Sequence, residues 1–156
     1  MVAQRRRRGE RGQTIIEFAL LFPLIAIFLF AIVDFGLAIS ERSVLADAAR
    51  EGARVGALGG DVGAITDCSV EASAGLLDPG DVTVSWSDVN GDGFVGEAGD
   101  SVVVRVEHEY TFISPLSAML GAFGASGPTE ITLGSCADMR LEVSNSSATG
   151  GGTGCD

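Results

Sequence analysis

The chain has 156 residues, 46% of them hydrophobic, and a formal net charge of −11 from 21 Asp and Glu against 10 basic residues. All ten basic residues are Arg; five stand before Gln13, and beyond Ile39 five Arg face eighteen Asp and Glu. So acidic a balance repels nucleic acid and anionic lipid and excludes nucleic acid as a partner.

The first segment, residues 1–12, is a basic leader carrying Arg5, Arg6, Arg7, Arg8 and Arg11. Its position directly before apolar sequence makes membrane topology a better account than a nucleic-acid patch: the positive-inside rule keeps this end cytoplasmic and sends the remainder outside. Residues 13–39 follow as a transmembrane helix. From Phe18 to Val33 no residue is charged, Asp34 interrupts, and the run continues to Ile39. Twenty-two residues from Phe18 rise about 33 Å as a helix, enough to span a bilayer. A cleaved secretory signal has a shorter apolar core, about 7–15 residues, and the one small-x-small pattern here, Gly36-Leu37-Ala38, defines the rival reading of a secreted domain cut near Ala38. Pro23 removes one helical hydrogen bond and is expected to kink the helix, a defect that bilayers tolerate. Glu17 stands at the cytoplasmic mouth, where a charge in hydrocarbon costs roughly 2.5–3.5 kcal/mol, and so calls for a functional explanation.

The helix is expected to continue outside the membrane. Residues 40–58 lack proline and place Val44, Leu45, Ala48, Ala49, Gly52 and Val55 at helical spacing, with Arg and Glu opposite. The small residues suit close approach of another helix or a sheet, and Gly59-Gly60 ends the run. A second amphipathic segment is predicted over 61–77, with Val62, Ile65, Val70, Ala74 and Leu77 on one side and Asp78-Pro79-Gly80 as a closing turn. The period then becomes two: Val82, Val84 and Trp86 alternate with Asp81, Thr83 and Ser85, and Val102, Val104 and Val106 alternate with Ser101, Val103 and Arg105, which predicts a hairpin. Residues 114–123 read as a short helix and 130–143 as a third strand with Ile131, Leu133, Met139 and Leu141 toward the core. The whole is therefore α+β: a long N-terminal helix packed on a small antiparallel sheet, with residues 40–143 as the extracytoplasmic domain and 144–156 as a flexible Gly/Ser/Thr tail.

The hairpin loop, Asp88-Val89-Asn90-Gly91-Asp92-Gly93-Phe94, offers oxygens at positions one, three and five of an EF-hand-type loop, a Gly at six and a backbone carbonyl at seven. The twelfth position is Gly99, and the nearest acid, Asp100, comes one residue late. Calcium held by Asp88, Asn90, Asp92, Phe94 and Asp100 is one expectation; a solvated turn built on Asn-Gly and Asp-Gly is the other.

Cys68, Cys136 and Cys155 lie beyond the membrane segment, where disulfides persist, and show no zinc-like spacing. Strand alternation places Cys136 on the outer face with Thr132 and Arg140, and the tail is long enough to fold back, so a Cys136–Cys155 bond is expected. His108, between Glu107 and Glu109, reads as a surface histidine. Asn145-Ser146-Ser147 matches a glycosylation sequon by chance. No nucleophile is paired to a base and no glycine loop cradles phosphate, so the chain is expected not to be an enzyme.

Gly12, then Gln13-Thr14-Ile15-Ile16, then Glu17 at the head of a long apolar helix resembles the processing site of type IV prepilins. Gln13 to Leu24, Val33-Asp34-Phe35-Gly36, Ala46-Asp47-Ala48-Ala49-Arg50-Glu51-Gly52-Ala53-Arg54 and Ala137-Asp138-Met139-Arg140-Leu141-Glu142 look like the TadE-like branch, minor pseudopilins of tight-adherence (Flp) pilus systems. The resemblance implies a cut after Gly12 by a prepilin peptidase, Gln13 as the mature N-terminus, and a role for Glu17 in assembly. It also implies other pilus subunits and the inner assembly platform as partners, in a single-pass membrane protein of pilin-like architecture. Gln13 replaces the Phe usual in main pilins, and about a hundred residues follow the helix, which fits a minor rather than a bulk subunit. The rival from another class is a single-pass, calcium-stabilised surface binding protein that never enters a pilus.

Overall fold

The computed structural model describes residues 10–113, 118, 121, 124, 129–149, 152, 154 and 155. It divides into two compact units, Met1–Gly36 with Phe112–Thr129 and Leu37–Thr111 with Glu130–Asp156. One helix, α1 (Glu10–Ala57), contributes to both and continues through Pro23.

Within the first unit, α1 turns its large apolar side chains outward. Ile15, Phe18, Leu20, Phe28 and Ile32 are all more than half exposed, and the rings of Phe18 and Phe22 meet at a tilt of 40° with centroids 5.7 Å apart. Asp34 is the exception, only 1% exposed. The predicted helix over 114–123 lies outside the described residues except for Ala118 and Gly121, both helical.

The second unit holds the core. From Ala38 onward the inward stripe of α1 is Leu45, Ala48, Ala49, Ala53 and Ala57, all buried. Small side chains permit close approach: a Cβ on Gly52 would stand 2.0 Å from Ser69 Oγ and 3.2 Å from the Ile65 carbonyl, and one on Gly56 would stand 2.9 Å from Val102 Cγ2. α1 ends where the amides of Gly59 and Gly60 turn back to the carbonyls of Gly56 and Val55. Asp61 then caps α2 (Val62–Ala72), its carboxylate accepting from the Ala64 amide at 2.8 Å.

The predicted second amphipathic segment is thus shorter than 61–77. The Ser73 hydroxyl accepts from the Leu77 amide and Ala74 takes a positive φ of 55°, so the chain leaves the helix before Leu77. Ile65 and Leu77 are buried, whereas Val62 and Ala74 are exposed.

A 3-10 turn at Pro79–Asp81 leads into β1 (Val82–Ser87), followed by β2 (Ser101–Thr111) and β3 (Glu130–Arg140). The sheet is antiparallel in the order β1-β2-β3, with Val84 opposite Val104 and Val104 opposite Ala137. Period-two burial puts Trp86, Val102, Val104, Val106 and Ala137 against the α1 stripe in one hydrophobic cluster. Each fully buried Val or Leu contributes about 1.5–3 kcal/mol from surface removed from water. The third strand stops at Arg140 instead of Val143, because Leu141 leaves the ladder to exchange hydrogen bonds with the β1–β2 loop: its amide donates to the Asp100 carbonyl at 2.7 Å and its carbonyl accepts from the Gly99 amide.

Candidate processing and assembly segment

Gly12, Gln13 and Glu17 all lie on α1, with Gln13 and Glu17 exposed and one helical turn apart. Four residues of separation put the latter two on one face. From Gln13 the helix has a mean hydropathy of 2.7 over its best 18-residue window, none of which is buried by the rest of the protein. It is one helix near the N-terminus, long and apolar enough to cross a membrane, which fits a single-pass membrane protein.

The hairpin loop brings its expected ligand residues near one another but spends their oxygens on its own backbone. Asp88 accepts from the amides of Gly91 at 2.6 Å and Gly93 at 2.8 Å, and Asp92 accepts from the Phe94 amide and from Asn90 Nδ2 at 2.7 Å. Asp100, fully buried, accepts from the Val89 and Glu97 amides. Phe94 is 68% exposed. Among the described residues no group of three or more His, Cys, Asp or Glu stands ready to hold a metal ion.

A disulfide joins Cys136 to Cys155, whose Cα atoms are 5.7 Å apart, and Cys68 is free. Burial first, with the negative charges of Glu51 and Glu71 adding to it and the Arg54 guanidinium opposing it, pushes the Cys68 thiol up from its ordinary value. The Arg54 guanidinium donates to Glu51 and holds that carboxyl below its usual range, on the exposed face of α1.

Three features were not read from the sequence. His108 is half-buried and faces α1, with Nε2 3.8 Å from Glu41 Oε2. Asp34 is buried in the first part of α1, where its described neighbours along the helix are exposed or half-buried. Asn145, 6% exposed, donates from Nδ2 to the Gly60 carbonyl at 2.7 Å and accepts from the Ser147 amide, so its amide is engaged in the fold and is not a free acceptor for sugar. For His108 and Asn145 the missing signal is the long-range partner. Asp34 did carry one, as the single acid interrupting the apolar run.

Residues 12–54 match the family model described as TadE-like protein. The match covers Gly12, Gln13, Glu17 and nearly all of α1, and it is consistent with a TadE-like protein of Tad pilus systems. No curated protein and no solved structure matches the chain.

Proposed function

We propose that this chain is a minor pilin of a Tad (Flp) type IV-like pilus, cut after Gly12 by a prepilin peptidase and assembled through residues 13–39 with other pilus subunits and the inner assembly platform. The observation that carries this reading is the division of α1: its first part presents unburied apolar side chains within the TadE-like match, while its second part is the core of a folded domain. The Arg leader places the N-terminus in the cytoplasm and the folded unit outside. After the cut, the new ammonium of Gln13 and the carboxylate of Glu17, on the same or a neighbouring subunit, neutralise each other where either alone is costly.

Gly12→Leu tests the cut, since a bulky side chain obstructs the peptidase without altering the apolar run. The variant should insert in the membrane but keep its leader, read as the N-terminal residue of protein purified from membranes; release of Gln13 at the normal rate would remove the assignment. Glu17→Ala should be processed and inserted yet fail to co-purify with the other pilus components.

Calcium belongs to the same proposal as a stabiliser of the exported unit, held by Asp88, Asn90, Asp92, the Phe94 carbonyl and Asp100. The Asp-x-Asn-x-Asp-Gly spacing supports it.

A further inference from the structure

β1 and β2 do not run side by side over their whole length. β1 begins at Val82, opposite Val106, whereas β2 continues to Thr111, because the preceding Pro79–Asp81 is a 3-10 turn and joins no ladder. The step leaves a cleft of about 410 Å³ at this corner of the sheet, lined among the described residues by Asp81, Glu107, His108, Glu109 and Thr132. Glu107 and Glu109 are exposed, and Thr132 is the β3 partner of Glu109. Three carboxylates around a concave opening focus a negative potential there. His108 meets Glu41 of α1 at 3.8 Å, so the cleft stands level with the start of the folded part of that helix.

At the same level α1 carries a cation with no use in its own fold. Arg42 follows Glu41 by one residue, about 1.5 Å further along the helix and about 100° around it. The buried Leu45 falls between them, so Glu41 lies on the flank of the cleft and Arg42 emerges on the other. Arg50 and Arg54 each have an acid three positions earlier, Asp47 and Glu51, and pair with it. Arg42 has only Ala38, Ile39, Leu45 and Ala46 at three and four positions either way. It is exposed and forms no ion pair among the described residues. Cation and cleft thus face apart within one chain, and face each other between two chains placed side by side in the same orientation.

We propose that a second copy of this chain, standing alongside in the same orientation, seats its Arg42 in the cleft of Asp81, Glu107 and Glu109. A guanidinium suits the site because its planar fork donates to more than one carboxylate oxygen at once. The two surfaces differ, so the contact is heterologous and repeats from copy to copy. One exposed charge contact does not hold two free domains together. Between chains already anchored in one membrane or one fibre, it fixes the register of neighbours and adds little to their affinity. The equal height of the two copies rests on the anchored topology proposed above.

The test is cross-linking of the full chain in membranes, without reductant. Two tagged forms, both Cys68→Ser, are co-expressed and treated with a short bis-maleimide. One carries Ser43→Cys beside Arg42 and the other Thr132→Cys in the cleft. The mixed 43–132 product should exceed both like-with-like products. Arg42→Glu on the first form should lower it by roughly fivefold, the scale of losing one partly exposed charge pair, and Glu107→Arg/Glu109→Arg on the second should restore it. Labelling of Ser43→Cys from outside the membrane by an impermeant maleimide reads the topology on its own, so the two readings fail separately. The fluorescence of Trp86 reads the folding of each purified variant. A mixed product no stronger than the like-with-like ones overturns the proposal. So does a yield that Arg42→Glu leaves unchanged, which would give Arg42 to lipid headgroups, or one that the exchanged charges fail to recover.

Discussion

The two parts of α1 are one continuous helix with opposite relations to their surroundings. Before Gly36 most of the large apolar side chains point outward, with Leu20 75% and Ile32 72% exposed; after Leu45 the inward positions are small, buried and matched to α2 and the sheet. Helical periodicity is present in both, but only the second part has a polar opposite face, where Arg50 pairs with Asp47 at 2.6 Å and Arg54 with Glu51. A helix that is apolar all round needs a nonaqueous environment on every side, whereas one with an apolar stripe needs one partner surface. The difference separates a segment for lipid or neighbouring subunits from one that is the domain's own core.

Substitution of one leucine in each part breaks the comparison most sharply. Leu45→Ala should cost about 2–5 kcal/mol in unfolding free energy, from lost burial and the cavity left beneath the sheet. Leu20→Ala should change the same quantity by no more than about 0.5 kcal/mol, since its side chain touches no core. Denaturant unfolding in micelles, followed by the fluorescence of Trp86, 2% exposed and the chain's one tryptophan, reads the second unit directly. Equal losses from the two variants would mean that the first part of α1 also supports the domain.

A smaller effect sharpens the account of the small residues. Gly52→Ala places a methyl on Ser69 Oγ and near the Ile65 carbonyl, an overpacking cost of about 1–3 kcal/mol. Because the closest atom is the end of a side chain, Gly52→Ala/Ser69→Ala should recover part of that loss, and the coupling in a double-mutant cycle measures the contact. No recovery would place the cost in the α2 backbone.

What could be read from the sequence follows the same division between local and distant causes. Val102, Val104 and Val106 announce their inward face by alternation, and Leu45, Ala48 and Ala49 theirs by helical spacing, because each pattern is a property of its own segment. Alternation also assigns Val103 to solvent, and there it misleads, since Val103 is 2% exposed; the Cys136–Cys155 bond, expected from the outward position of Cys136, is present. Composition reads the tail as a flexible linker, while Asn145 is tied to Gly60, 85 positions away. The ends of α2 and β3 were set by side-chain and loop hydrogen bonds, from Ser73 and Asp100, that propensity does not see. In the assembly segment the family match begins at Gly12 and takes in Gln13 and Glu17, the residues that a motif read along the linear sequence singles out.

The smallest effect expected lies at the hairpin loop, where a cation has to compete with bonds the loop already makes. Asp88 accepts two backbone amides and Asp92 an amide and the Asn90 side chain, so the loop is closed by its own donors and calcium gains only the remaining lone pairs. Position twelve supplies no bidentate acid, and Asp100, one residue on, is engaged by Val89 and Glu97. Affinity is therefore expected in the range of extracellular modules, about 10⁻⁴–10⁻³ M. Binding to the native state adds RT ln(1 + [L]/Kd), which at about 1 mM calcium is about 0.4–1.4 kcal/mol and a shift of a few degrees in melting temperature. Melting the protein with calcium, with magnesium and with chelator, beside Asp88→Ala/Asp92→Ala, reads the effect. Calcium should raise the wild-type midpoint above that in magnesium and leave the double variant unmoved. Equal midpoints in the two ions would assign the loop to its own hydrogen bonds and remove the cation from the proposal.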